Sequence, residues 1–178
     1  MSIISGISPL PLLLRLTTPQ VTVKHATLTT NKTFNTNLQP SLAFLIRKVS
    51  FLFSPLDAPQ GSATLAYLTA QLTENTTNTA PVLSDPLAIA SAARLYSASF
   101  LTSGAVTYNQ DDIQVSSETF GGFAYPTVAA SLNLTAQVTE TFGTFTNGFN
   151  VSAYVWYEIK QVDQALQAYL SNRLALQR

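Results

Sequence analysis

Residues 149–159 read FNVSAYVWYEI. Phe149, Val151, Ala153, Val155, Tyr157 and Ile159 alternate with Asn150, Ser152, Tyr154, Trp156 and Glu158, and Lys160 extends the second set. Side chains on a strand point to its two faces in turn, so this period of two assigns the first set to a core and the second to the outside. A slip of one residue would exchange the faces completely, which makes the assignment testable. At ~3.3 Å per residue the segment is roughly 36 Å long, more than an ordinary strand.

The rest of the chain reads outward from it. Downstream, Asp163 can cap a helix, and residues 164–176 carry Leu166, Tyr169, Leu170, Arg173 and Leu174 at helical spacing. Leu166, Leu170 and Leu174 are therefore expected to cover apolar surface on the domain edge or on a neighbour. Upstream, residues 128–138 alternate, with Leu132, Leu134, Ala136 and Val138 inward, while 141–148 reads as a loop holding Phe142 and Phe145. Gly121, Gly122 and Pro126 punctuate the preceding stretch. Residues 104–108 and 113–115 flank a polar turn expected at Asn109–Asp112. Ser84-Asp85-Pro86 is a helix-start signal, yet the following LAIASAARLYS also alternates, so residues 84–97 stay open between helix and strand.

Residues 62–72 place Leu65, Tyr67 and Thr69 on one face and Leu68, Ala70 and Leu72 on the other; 74–80 (ENTTNTA) reads as a loop. Residues 41–53 (SLAFLIRKVSFLF) are apolar but interrupted by Arg47 and Lys48, 31–37 reads as a polar turn, and 21–27 alternates as a strand. Seven or eight strands at this spacing with few helices predict an all-β, antiparallel sandwich, and a jelly roll satisfies the strand count and the long loops.

Residues 1–16 are apolar, with Ile3, Ile4, Ile7, Leu10, Leu12, Leu13, Leu14 and Leu16. Pro9 and Pro11 break the run, no basic segment precedes it, and Arg15 stands where a cleavage site would need small residues. It reads neither as a signal peptide nor as a membrane span, which needs about 20 apolar residues. The expected organisation is an extended apolar arm at 1–20, a sandwich at 21–162 and an amphipathic helix at 163–178.

The chain has 178 residues, no cysteine and one histidine, with nine Lys and Arg against nine Asp and Glu. Disulfides, thiol catalysis and multi-histidine metal sites are excluded. Zero net charge excludes a strong electrostatic hold on nucleic acid. Charged residues make up only 10% while hydrophobic ones hold at 46%, so the polar share falls to Thr, Ser, Asn and Gln. Such a surface repels its neighbours weakly, and association is the expected consequence.

No set of residues names a reaction, and no cofactor is expected. His25 has neither a second histidine nor an orienting carboxylate at recognisable spacing. Asp111, Asp112 and Glu118 could supply oxygens to Ca²⁺, though without EF-hand spacing, and they read as a solvated turn. Glycosidase-like pairs could be drawn from these and Glu140 or Glu158, but the spacing selects none. Gly121-Gly122 lacks the context of a phosphate loop. Asn31, Asn75, Asn133 and Asn150 match the N-glycosylation pattern, as composition alone produces in such a chain. Tyr154 and Trp156 could form a sugar platform or pack under another surface.

From Val21 to Lys160 the strand pattern resembles the single jelly-roll structural proteins of icosahedral viruses, at the level of architecture and without a signature motif. The resemblance implies a sandwich that forms a shell, termini that tie neighbours together, other virion subunits as partners, and location in the virion. Many coat proteins of that kind have a basic arm for the genome; this arm has only Arg15, so no direct nucleic-acid contact is expected. The interface is expected to involve Ile3, Ile4, Ile7, Leu10, Leu12, Leu13, Leu14, Tyr154, Trp156, Leu166, Leu170 and Leu174. Two rivals remain. One is a carbohydrate-binding sandwich, such as an adhesin or tail-fibre module; the other is a hydrolase using acidic residues.

Overall fold

The computed structural model describes residues 12–20, 27–53, 64–74, 80–81, 88–100, 106–115, 124–142 and 150–176, with the backbone alone at 27–28, 64–66, 95–100, 106–115 and 140–142. Among them are nine strands and one helix: β1 Leu12–Thr17, β2 Thr27–Asn35, β3 Leu42–Phe53, β4 Thr64–Glu74, β5 Ala88–Phe100, β6 Val106–Val115, β7 Tyr125–Thr127, β8 Ser131–Phe142, β9 Val151–Gln161 and α1 Gln164–Leu176. They form an all-β antiparallel sandwich. One sheet has the order β1-β9-β3-β7 and the other β2-β8-β4-β5-β6.

A single apolar layer joins the two sheets. It takes Phe44, Ile46, Val49, Phe51 and Phe53 from β3 and Val151, Ala153 and Val155 from β9. Opposite them lie Leu68, Ala70 and Leu72 of β4, Ile89, Ala90 and Ala92 of β5, and Leu132, Leu134, Ala136 and Val138 of β8. Alanines set against phenylalanines and leucines let two twisted sheets interdigitate at core density. The inward set of 149–159 is as its period requires, with Tyr157 and Ile159 packed at the margin of the same layer; Phe149 lies outside the described residues.

In β3 the inward positions change phase, from Phe44 and Ile46 to Val49, Phe51 and Phe53. The register against β9 shows why. Ile46 faces Tyr157 and Lys48 faces Trp156, leaving Arg47 as an extra, unopposed residue in a bulge. A bulge absorbs one residue and lets both halves of the strand point the same way.

The five-stranded sheet is polar on its other face, and part of that face is withdrawn from solvent. Gln71, Thr73 and Thr135 are fully buried, and Asn133 nearly so. Thr33 donates to Asn133 Oδ1 at 2.7 Å, and Thr73 donates to the Asn133 carbonyl at 3.4 Å.

Helix α1 follows β9 almost without a linker. Asp163 Oδ1 accepts from the Leu166 N–H at 2.7 Å, which is the cap the sequence predicts. Leu170 seats against Ala43 and Val162, and Leu174 against Ala129. Leu166 is 39% exposed and so does not cover the edge of its own domain, because the helix leans on the sheet through its C-terminal half.

Several expectations are corrected. The arm expected at 1–20 does not stay outside the sheet. Its second part is β1, paired with β9 from Leu12↔Tyr157 to Thr17↔Ser152, with Leu16 in the core and Leu14 packed on it. Between Pro11 and Pro19 every residue keeps its N–H, so this stretch can join a ladder. Ile3, Ile4, Ile7 and Leu10 lie outside the described residues. The turn expected at 31–37 is largely strand, since β2 pairs with β8 along its whole length; an edge strand tolerates Asn, Lys and Thr because one rim meets water. The turn expected at 109–112 is the middle of β6, in register with β5.

Residues 88–100 are strand, where alanines supply the small inward side chains that the facing layer needs. The Pro126 stretch forms a short edge strand, where a missing N–H costs least. Phe142 closes β8 instead of sitting in a loop.

Two substitutions in β9 read out the faces. Val155→Asp places a carboxylate in the shared layer, where Val155 is 0% exposed, and is expected to abolish folding because the charge finds no partner there. Trp156→Ser is expected to leave the circular-dichroism spectrum unchanged and the thermal midpoint within a few degrees. The opposite ranking would mean the faces are inverted. Leu170→Ala should cost about 2–5 kcal/mol, read by urea denaturation.

Candidate functional site: the outer face of the four-stranded sheet

The outer face of the four-stranded sheet is built by register. Three outward residues of β9 each stand between one of β1 and one of β3: Trp156 between Leu13 and Lys48, Tyr154 between Arg15 and Ser50, and Ser152 between Thr17 and Leu52. Leu13 and Leu52 are 56% and 55% exposed. Tyr154 and Trp156 stand side by side, with ring centroids 6.4 Å apart. The Arg15 guanidinium lies 5.5 Å from the Tyr154 ring centroid and the Lys48 ammonium 5.7 Å from that of Trp156. Cations so placed are attracted by the ring quadrupole and cover one face of each ring.

At the next position of β9, Glu158 accepts two hydrogen bonds from Arg47, at 3.1 and 3.4 Å, and pairs with Lys160 at 3.4 Å. The Arg47 hydrogen bond holds the Glu158 carboxyl below the usual carboxylate range. The bulge at Arg47 is what brings this β3 cation to the Glu158 carboxylate, beside Lys48 over Trp156.

At the edge of this sheet lies a buried polar cluster that sequence reading missed. Glu74, the last residue of β4, is 0% exposed. Its carboxylate accepts from Arg173 Nη2 at 2.8 and 3.0 Å and from the Tyr125 hydroxyl at 3.1 Å. Arg173 also donates to the Pro126 carbonyl at 3.3 Å and lies 4.8 Å from the Tyr125 ring centroid. The cluster therefore ties β4 of one sheet to β7 of the other and to α1. Burial pushes the Glu74 carboxyl above its ordinary range, against the opposing pull of its Thr127 hydrogen bond and of Arg173. Burial also raises the Tyr125 hydroxyl, with the Glu74 charge adding to it. Glu74 and Arg173 are 99 positions apart. The one local signal was a cation on the otherwise apolar stripe of α1.

The other candidates are placed as follows. His25, Glu118, Gly121 and Gly122 lie outside the described residues. Asp111 and Asp112 are consecutive positions of β6, opposite Leu95 and Arg94. Among the described residues no three His, Asp or Glu side chains gather as a metal site. Glu140 is on β8, in register with Ala66 of β4. Leu12, Leu13, Tyr154 and Trp156 share one sheet, whereas Leu170 and Leu174 are spent on packing within the chain.

No protein-family model matches the chain, and neither the curated proteins nor the solved structures contain a match to it.

Arg173→Met should leave Glu74 as an uncompensated buried carboxylate and cost about 3–5 kcal/mol near neutral pH. With the folded-state pKa above the unfolded one, the folded protein binds the proton more tightly, so Glu74's contribution to stability rises as pH falls through the window above the usual carboxylate range. Much of the loss in Arg173→Met should therefore return on mild acidification. Adding Glu74→Gln should flatten that recovery. Urea denaturation across a pH series measures both.

Proposed function

We propose that the chain is a structural subunit of a virus capsid or virion-like assembly, associating with copies of itself and with other subunits. The observation that carries this reading is the pairing order: β1 with β9, β2 with β8, β3 with β7 and β4 with β5. That nesting is what one long antiparallel ribbon produces when wound into two sheets, the jelly-roll arrangement on which viral shell domains are built, with β6 as an added edge strand. Lectin domains share the winding, so the surface has to decide.

The surface favours assembly. It is poor in charge, and it exposes Leu12, Leu13 and Leu52 on one sheet. The sugar-platform alternative is disfavoured by Arg15 and Lys48, which cover faces of Tyr154 and Trp156 that a pyranose ring would stack upon. On this reading the protein works in the virion and no residue is given a catalytic role.

Light scattering at micromolar concentration, followed by negative-stain microscopy, is the test. Shells, sheets or filaments are expected. A monodisperse monomer that binds a glycan array, and loses binding on Trp156→Ala, would establish the alternative. Removing residues 1–11 should spare the β-sheet signal and reduce particle yield, whereas removing 1–16 should also destabilise the fold, since Leu14 and Leu16 belong to the core.

A further inference from the structure

Among the described residues the two sheets end in four edge strands, β1 and β7 in one and β2 and β6 in the other. An edge displays backbone groups to any extended chain, so natural edges carry something that discourages pairing. Three of these do. β7 is three residues long and contains Pro126. β2 has Lys32 opposite the core residue Leu134, which sets an exposed charge in the inward row at the rim. β6 has Asp111 and Asp112 at its middle positions. β1 has no such device. Its inward row is Leu12, Leu14 and Leu16, and its one charge, Arg15, stands in the outward row with the guanidinium over the Tyr154 ring.

The ladder with β9 decides which groups β1 displays. The Thr18 N–H donates to the Val151 carbonyl at 2.9 Å, which makes these two a hydrogen-bonded pair. Such pairs alternate along antiparallel strands, so Leu16, Leu14 and Leu12 also turn their backbone groups to β9. Those of Leu13, Arg15 and Thr17 point the other way. Leu12 and Leu13 are 38% and 56% exposed, so this rim is open.

We propose that β1 pairs antiparallel with β1 of a second copy about a two-fold axis, joining two four-stranded sheets into one continuous sheet. The inference deepens the assembly reading and rests on its self-association. Displayed groups must meet displayed groups, so odd positions of one copy face odd positions of the other. Setting Arg15 against Arg15 would oppose like charges, which is destabilising. A register shifted toward Thr17 sets Leu14 against Thr18 and leaves Leu12 without a partner. The register that remains places Leu14 on the axis, Leu13 against Arg15, and Leu12 against Leu16. The leucine rows of the two copies then lie side by side on the inner face, and exposed Leu12 is covered. A foreign strand would make the same backbone bonds. A second copy also brings a leucine row in step with this one, bracketed by the same Pro11 and Pro19, which end the pairing at equal length on both sides.

The chain has no cysteine, so an introduced one reports the register by itself. Leu14→Cys in the full-length protein should cross-link to its copy under mild oxidation. Residues facing each other in a non-hydrogen-bonded pair lie about 4.5 Å apart at Cα, within the span of a disulfide. Arg15→Cys, which faces Leu13, should not cross-link; the converse pattern overturns the register. Leu13→Pro removes an N–H that points away from β9 and so spares the ladder within the chain. Leu12→Lys copies the Lys32 device at an exposed position. Each is expected to keep the circular-dichroism spectrum and to weaken self-association, read by sedimentation, by about tenfold or more. If Leu13→Pro fails to fold, Leu12→Lys and the cross-link still decide. Folded variants that associate as the native chain does, with Leu14→Cys left uncross-linked, overturn the inference and leave the assembly reading standing. Cross-linked pairs that never grow into larger particles sustain the inference and overturn the shell. A native chain that stays monomeric overturns both.

Discussion

Strand β9 has a neighbour on each side and a sheet beneath it, and the remaining structure depends on that confinement. Its inward residues must fill the gap to the other sheet, while its outward residues are fixed to the atom by the registers with β1 and β3. Small Ala153 between Val151 and Val155 leaves room for the facing layer. Ser152, at the crowded end, is held by the Thr17 hydroxyl at 2.9 Å and reached by Arg15 at 3.4 Å. The aromatic and cationic rows on the outside thus follow from choices made for the inside: once Val155 points in, Trp156 has to face out beside Lys48.

The bulge at Arg47 and the cluster around Glu74 solve two problems that the shared layer creates. β3 must keep apolar residues inward over 12 positions, and a strand of that length twists away from its partner unless it is re-phased. The bulge re-phases it and releases Arg47 to meet Glu158. At the β7 edge a polar contact joins the two sheets. There Glu74, Tyr125 and Arg173 close the gap with directional bonds, and the helix is anchored by the same guanidinium. The net stability gained from a buried ion pair of this kind is small, because the cost of desolvating both charges offsets their attraction.

The sequence made the sheets legible where one face is apolar and the other polar. Residues 151–159 and 132–138 show this, as does 68–72, and the phase change between Ile46 and Val49 was visible as an interruption. It was illegible where polar residues enter a ladder or are buried. Residues 31–35 and 109–112 looked like turns because Asn, Asp and Thr dominate them, yet pairing with β8 and β5 overrides that preference. Composition assigned threonine and glutamine to the surface, but Gln71, Thr73 and Thr135 are buried. Of the candidate site, Tyr154 and Trp156 were readable from alternation alone. Their cationic neighbours were not, since Arg15 and Lys48 reach them only through strand pairing.

The nested pairing also dictates the order of events at the ribosome. Arg15 and Ser152 touch across 137 positions of chain, so β1 leaves the exit tunnel long before the strand it needs has been made. The four-stranded sheet cannot close until β9, which pairs with both β1 and β3, has been made. Until then β3 presents a long apolar strand with neither main neighbour in place, the condition in which nascent chains adhere to one another. Closure of this sheet therefore waits on its latest strand, and whatever shelters β3 in the meantime bears on the yield of folded protein.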